Sequence, residues 1–211
     1  MPEKAERFPK SAAKKGAAIM NPEERKNRYR RKNPLFALCG LNCGLCPMKI
    51  GGTCPGCGGG EGNQPCAILR CARQRGQIEY CTQCGDFPCG KYADAGPYEL
   101  FIPNRNRLKD LERAAHIGLD AYQQELDEKV NILHDLIDHW NDGRRKSFYC
   151  LAVNLLELKD VQTVVGKLRE EIEPEKLTLK QKAERAAALF RETAEKRGIL
   201  LKLYRKPKKQ K

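Results

Sequence analysis

The sequence predicts an α-dominated fold with little β structure: a small, loop-rich module crowded with cysteine, followed by a mainly α-helical domain. Two observations predict it. Ten of the eleven cysteines fall in the 51 residues from Cys39 to Cys89, and seven glycines and three prolines lie between Cys46 and Cys66, too many for helix or packed sheet. From about residue 104 the apolar positions recur in steps of three and four, the period of amphipathic helices. Four segments follow from this: a basic, disordered arm over 1–33, the cysteine module over 34–103, the helical domain over 104–201 and a basic tail over 202–211.

The ten clustered cysteines are Cys39, Cys43, Cys46, Cys54, Cys57, Cys66, Cys71, Cys81, Cys84 and Cys89. Three C-x2-C pairs stand among them (43/46, 54/57, 81/84), the spacing of metal knuckles. No export signal precedes them, so a cytoplasmic, reducing setting is expected, where thiols bind metal more readily than they form disulfides. A segment of this length with so little aliphatic content needs such a cross-link to fold, and the module is expected to be metal-stabilised. Sets of four thiolates select zinc or iron–sulfur clusters. Two such sites use eight of the ten cysteines, giving two Zn2+ ions. Pairing knuckle with knuckle puts 43/46 with 54/57 on one ion. The other then draws on 81/84 plus two of Cys39, Cys66, Cys71 and Cys89. Spacing alone leaves the sharing of ligands open.

Iron–sulfur ligation by the same cysteines is the alternative, although the C-x2-C-x2-C-x3-C-P run of small ferredoxins is absent. Cys39-x3-Cys43-x2-Cys46 has radical-SAM spacing, but no run of alternating strands and helices follows to build the barrel that chemistry needs. The Gly58-Gly59-Gly60 stretch lacks the Gly-Lys-Ser/Thr ending of a phosphate loop.

The net charge of +13 suggests nucleic acid until it is located. Residues 1–34 carry a net +7 and residues 202–211 a net +6, so residues 35–201 are formally neutral. Basicity belongs to the tails, and contact with nucleic acid, if made, runs through them and not through the cysteine module. Arg28-Tyr29-Arg30-Arg31-Lys32 places an aromatic among cations, as nucleic-acid arms do. No apolar run is long enough for a membrane span.

The helical half reads as helices over about 105–116, 120–141, from Ser147, 161–173 and 179–197. Asp120 with Gln123, Asp160, and Thr178 with Gln181 are the expected caps. Within the module, a short helix is expected from Cys66 to Gly76, on which Cys66 and Cys71 do not share a face. Ile199–Tyr204 reads as a short strand whose pairing partner the sequence does not name. His134 and His139 are too far apart around a helix to chelate together, and Cys150 reads as a small buried hydrophobe. No Ser/His/Asp or Cys/His arrangement is nominated, so catalysis is not expected.

CGLNCGLCP, CPGCGGG, CAILRCA and CTQCGDFPC together resemble a cysteine-rich family of bacteria and archaea whose function is unknown and whose members are thought to bind zinc. The match spans about residues 36–92, and SFYCLAVNLLEL with the closing KAERAAALFRETAEKRGILLKL looks like its longer members. The resemblance implies Cys39, Cys43, Cys46, Cys54, Cys57, Cys81, Cys84 and Cys89 as the foremost ligands, with Cys66 and Cys71 behind them. The expected role is therefore a zinc-binding protein with structural metal sites that binds or scaffolds an unidentified protein partner.

Overall fold

The structure, a computed structural model, describes residues 30–60, 66–93, 98–172 and 175–207. It is α-dominated, with the cysteine-rich region preceding the helical part and no strand among the described residues. The cysteine half holds 3-10 turns at Cys43–Leu45 and Cys81–Gln83 and three short helices: α1 (Pro47–Ile50), α2 (Ala67–Gln74) and α3 (Gly90–Ala93). The helical half holds α4 (Arg107–Ile117), α5 (Leu119–His139), α6 (Lys146–Leu155), α7 (Leu158–Lys167), a π turn at Leu168–Ile172, and α8 (Leu179–Lys196).

Two of the three expected caps are not used. Gly118, at φ +93°, turns the chain between α4 and α5, so α5 starts at Leu119 and Asp120 lies inside its first turn. Only glycine adopts that conformation cheaply. Asp160 lies within α7, where its buried carboxylate takes a bidentate pair from Arg197 at 2.6–3.1 Å and ties α7 to the end of α8. The Thr178–Gln181 capping box forms as read from the sequence.

One core runs through both halves. Leu133 and Leu136 of α5, Tyr149 and Val153 of α6, Val161 of α7 and Phe190 of α8 are fully buried, and Phe36, Leu38 and Leu45 of the cysteine half join the same cluster. α5 is the central strut, touching α4, α6, α7 and the Cys43–Leu45 turn. Phe36 packs on Tyr122 of α5 and on Tyr80 before the second turn, with ring centroids 4.6 and 5.4 Å away. Burying a phenylalanine contributes roughly 2–3 kcal/mol.

The chain is folded earlier than the expected boundary at residue 34. Arg31 is buried. Its guanidinium donates to the carbonyls of Phe36 (2.7 Å) and Glu79 (3.1 Å), pairs with the Glu79 carboxylate (3.2 Å) and lies over the Tyr80 ring. Arg30 to Lys32 are not helical, and the rest of the expected arm lies outside the described residues.

Ile199–Tyr204 forms no strand and turns at Lys202, whose amide donates to the Leu200 carbonyl (2.9 Å), and its partner is the segment entering α4. Glu99, 1 % exposed, accepts from the Tyr204 amide (3.0 Å) and from Arg105 (2.6 Å), while its own amide donates to the Tyr204 carbonyl (2.7 Å). Arg105 also donates to the carbonyls of Leu200 and Lys202. A carboxylate and a guanidinium therefore hold this segment where a strand partner was expected.

At the junction of the halves, Asn42 donates to Asp110 (3.0 Å) and accepts from the Tyr122 hydroxyl (3.1 Å). Burial pushes the Asp110 carboxyl from 3.8 up to about 6, against the opposing pull of Lys129 and the Asn42 hydrogen bond. Between about pH 4 and 6 the folded carboxyl holds more proton than the unfolded one, so it makes stability fall as pH rises through that window. Asp110→Asn keeps an acceptor for Asn42 and removes the buried charge. We expect it to unfold at a higher temperature than the wild type at pH 7.5, by an amount on the order of 1–2 kcal/mol, with no gain at pH 4. Thermal melts at both pH values check this.

Candidate metal centre

The two helical-turn knuckles are built alike. In the first, the Cys46 amide donates to the Cys43 carbonyl at 3.1 Å, and Cys46 sits at φ −87°, ψ 131°. In the second, the Cys84 amide donates to the Cys81 carbonyl at 3.0 Å, and Cys84 sits at φ −91°, ψ 133°. The 54/57 pair turns differently: the Cys57 amide donates to the Pro34 carbonyl at 3.2 Å. Gly56 adopts φ +89° against Pro34, leaving no room for a Cβ. That loop is thereby held at its Cys57 end on the chain entering the module, while at its other end the Cys54 amide donates to the Met48 carbonyl at 3.2 Å, beside Cys46.

Both knuckles hang from one segment, Leu35–Cys39, and the 54/57 loop from Pro34 just before it. The Leu35 carbonyl accepts from Gly44 (2.8 Å), the Phe36 carbonyl from Arg31, and the Leu38 carbonyl from Cys81 (2.9 Å). Through these bonds the thiols fall into neighbourhoods, with Cys57 near Cys43 and Cys54 near Cys46. Cys39, Cys43, Cys57 and Cys66 form the first. Cys39 lies within electrostatic reach of Cys57, Cys66 and Cys81, Cys43 of Cys57, Cys39 and Cys46, and Cys57 of Cys66. Cys71, Cys81, Cys84 and Cys89 form the second and line one cavity of about 200 Å³, together with Arg75, Asp86 and Tyr92. Cys46 and Cys54 stand near each other at the edge of the first group, Cys46 lying within reach of Cys43 and also near Cys150 of α6.

Helix α2 divides the two fours. Cys66 is extended, at φ −126°, ψ 120°, and stands before the first helical residue, Ala67. Its side chain is free to join the first group while Cys71, one turn into the helix, faces the second. Among the described residues no three His, Cys, Asp or Glu side chains stand as a closed metal cage. The fours are neighbourhoods of soft donors and not coordination shells.

The electrostatics fit that description. Burial, with repulsion from neighbouring thiolates, pushes the Cys39 thiol up to about 12 and the Cys43 thiol higher still. Burial likewise pushes Cys81 up to about 11, against the Tyr92 hydroxyl that faces its sulfur. Opposing donors are aimed at several sulfurs: the Leu41 amide at Cys39, the Cys57 amide at Cys43, the Met48 and Lys49 amides at Cys46, and the Leu38 amide with Arg31 at Cys57. Donors of this kind favour the thiolate, the form that binds metal. The Tyr92 hydroxyl is buried without an oxygen or nitrogen partner.

Three residues at these groups are not nominated by the cysteine pattern: Arg31 beside Cys57, Arg75 with its guanidinium 3.2 Å from the Cys84 sulfur and 2.5 Å from Asp86, and Tyr92. Arg75 had a readable signal, since it follows Cys71 by four residues and so shares its helix face. The histidines hold no comparable place. His139 is exposed and bonds within its own helix to Asp135, and His134 is exposed. Cys150 is buried, as expected of a small hydrophobe.

Arg31 is the side chain through which the arm meets the first group. Truncating it leaves Glu79 and two carbonyls without their donor, and removing one member of a buried pair costs about 3 kcal/mol or more. We expect Arg31→Ala to lower the urea midpoint of the full chain by that order, with Arg31→Lys recovering part of it.

Comparison with family models, with curated proteins and with solved structures finds no match to this chain.

Proposed function

We propose that the protein is a zinc-binding protein whose two metal sites are structural and whose role is to bind or scaffold a partner, not to catalyse a reaction. The observation that carries this reading is the gathering of the thiols, with Cys71, Cys81, Cys84 and Cys89 lining a single cavity and Cys39, Cys43, Cys57 and Cys66 near one another. In each four the donors are sulfur alone, the soft set that structural zinc sites use. Asp86, the carboxylate beside the second four, is already paired with Arg75. Cys39, Cys43, Cys57 and Cys66 would hold one ion, and Cys71, Cys81, Cys84 and Cys89 the other. A divalent ion within each four offsets the mutual repulsion of its thiolates and cross-links chain segments that share few apolar contacts. The resemblance to a family thought to bind zinc, carried by CGLNCGLCP and CTQCGDFPC, points the same way.

The iron–sulfur reading draws on the same cavity, whose volume exceeds what one ion fills. Elemental analysis and an absorption spectrum of protein purified without oxygen separate the two. We expect two zinc ions per chain and a colourless sample. Iron with sulfide and a band near about 400 nm would replace zinc by a cluster.

The grouping itself predicts how serine variants behave. Cys43→Ser and Cys84→Ser should each weaken one ion, leaving about one tightly held zinc per chain by native mass spectrometry, whereas Cys46→Ser and Cys54→Ser should keep both. If Cys46→Ser lost an ion and Cys66→Ser did not, the knuckle-with-knuckle pairing would be right instead. Removing metal with a chelator should abolish amide protection across 39–89. Because Phe36, Leu38 and Leu45 belong to the shared core, protection in α5 should fall too, while α7 and α8 retain theirs.

A further inference from the structure

We propose that Tyr98, Leu100, Phe101, Leu200 and Tyr204 form a docking surface for an acidic segment of another protein that carries apolar side chains. The proposal rests on the binding role above but not on which metal the module holds.

Seven large hydrophobic side chains are exposed among the described residues, and five of them lie in two short segments almost a hundred residues apart in sequence. Those segments are the ones that Glu99 and Arg105 join. Because Glu99 points inward, its neighbours Tyr98 and Leu100 are left facing solvent, at 43 % and 70 % exposure. The C-terminal segment alternates in the same way. Ile199, Leu201 and Leu203 are half-buried, while Leu200, Lys202 and Tyr204 are exposed. Leu200, Lys202 and Tyr204 thus look outward from a chain that bends at Lys202, whose amide donates to the Leu200 carbonyl at 2.9 Å. Glu99, the carboxylate of the clasp that holds this surface, is itself among the most buried polar groups of the molecule. A clustered patch of this kind marks an interaction site more often than scattered exposed residues do.

Charge narrows the occupant. Over residues 98–107 and 198–207 there are five cations and one acid, Glu99, which Arg105 neutralises. Lys202, Arg205 and Lys206 are exposed beside the patch. A second copy presenting this same surface, or the chain's own basic arm, would bring like charge to it. An acidic partner matches it. Nucleic acid would also match the charge and could stack on Tyr98 and Phe101. However, the two most exposed members are leucines, which neither stack on bases nor pair with phosphate, and Arg105 already covers one face of the Tyr204 ring at 4.6 Å. Those features suit apolar protein side chains.

The test is selection of random displayed peptides on the full metal-loaded chain, followed by binding measurements with a synthesised winner. Winners should be enriched in Asp and Glu interspersed with Leu, Ile or Phe. Leu100→Ser/Leu200→Ser should weaken the winning peptide by about tenfold or more. Arg205→Glu/Lys206→Glu should weaken it further at low salt than at high salt. Helical content and metal per chain, measured on the same samples, report whether each variant still folds and separate failure here from failure of the metal reading. An absence of enrichment, winners without acids, or a winner indifferent to Leu100→Ser/Leu200→Ser in folded protein would overturn the proposal. So would oligo-dT binding more tightly than the peptide, which would assign the surface to nucleic acid.

Discussion

Everything in the cysteine half depends on the backbone of Leu35–Cys39. Three of its carbonyls accept from Gly44, Arg31 and Cys81, which belong to the first knuckle, the entering arm and the second knuckle. Its one aromatic, Phe36, is buried between Tyr80 and Tyr122 and fixes the segment to α5. A segment of five residues thus sets where the two cysteine knuckles and the entering arm can stand, and it does so with backbone groups that would be costly to leave unpaired when buried. The two fours follow from this arrangement. Cys39 ends the segment, Cys57 is delivered through Pro34 just before it, and Cys81 begins the second knuckle bonded directly to Leu38.

That arrangement explains why two thiol groups and a shared hydrophobic core coexist in so small a region. The module contributes Phe36, Leu38 and Leu45 to a core whose greater part belongs to α5–α8, and it reaches that core on one side only. On the other side lie the thiols, raised in pKa by burial and by each other, with amides and two arginines directed at them. Buried groups that repel one another are a liability unless something of opposite charge joins them. Arg31 and Arg75 supply part of that opposition from the chain itself, one beside each four. The helical half carries a second clasp of the same physical type, Glu99 with Arg105, which pins the C-terminal segment over the entrance to α4.

Much of the helical half was legible. The three-and-four period marked α4 to α8 because those helices bury one face each, and the Thr178–Gln181 box is a local signal with a local outcome. The caps at Asp120 and Asp160 misled because tertiary demands override them: a positive-φ glycine reset the start of α5, and Arg197 claimed the Asp160 carboxylate. The ten cysteines were legible as a cluster, but not their grouping. C-x2-C spacing reports the turn and not where the turn is carried. The 54/57 loop is anchored at both Pro34 and Met48, which sets Cys57 near Cys39 and Cys66 as well as near Cys43. Arg31 was hidden for a related reason, since a basic run reads as solvated unless long-range partners such as Glu79 and the Phe36 carbonyl are known. The pairing of residues 199–204 was likewise set by side chains and not by a strand, which periodicity does not report.

The central claim is that eight of these thiols hold metal in two all-sulfur sites. X-ray absorption at the metal edge of the protein as purified tests it most directly. The prediction is zinc with a first shell of four sulfurs at about 2.3 Å and no nitrogen or oxygen. A first shell containing nitrogen or oxygen, an iron–iron scatterer, or a protein that folds without bound metal would contradict it.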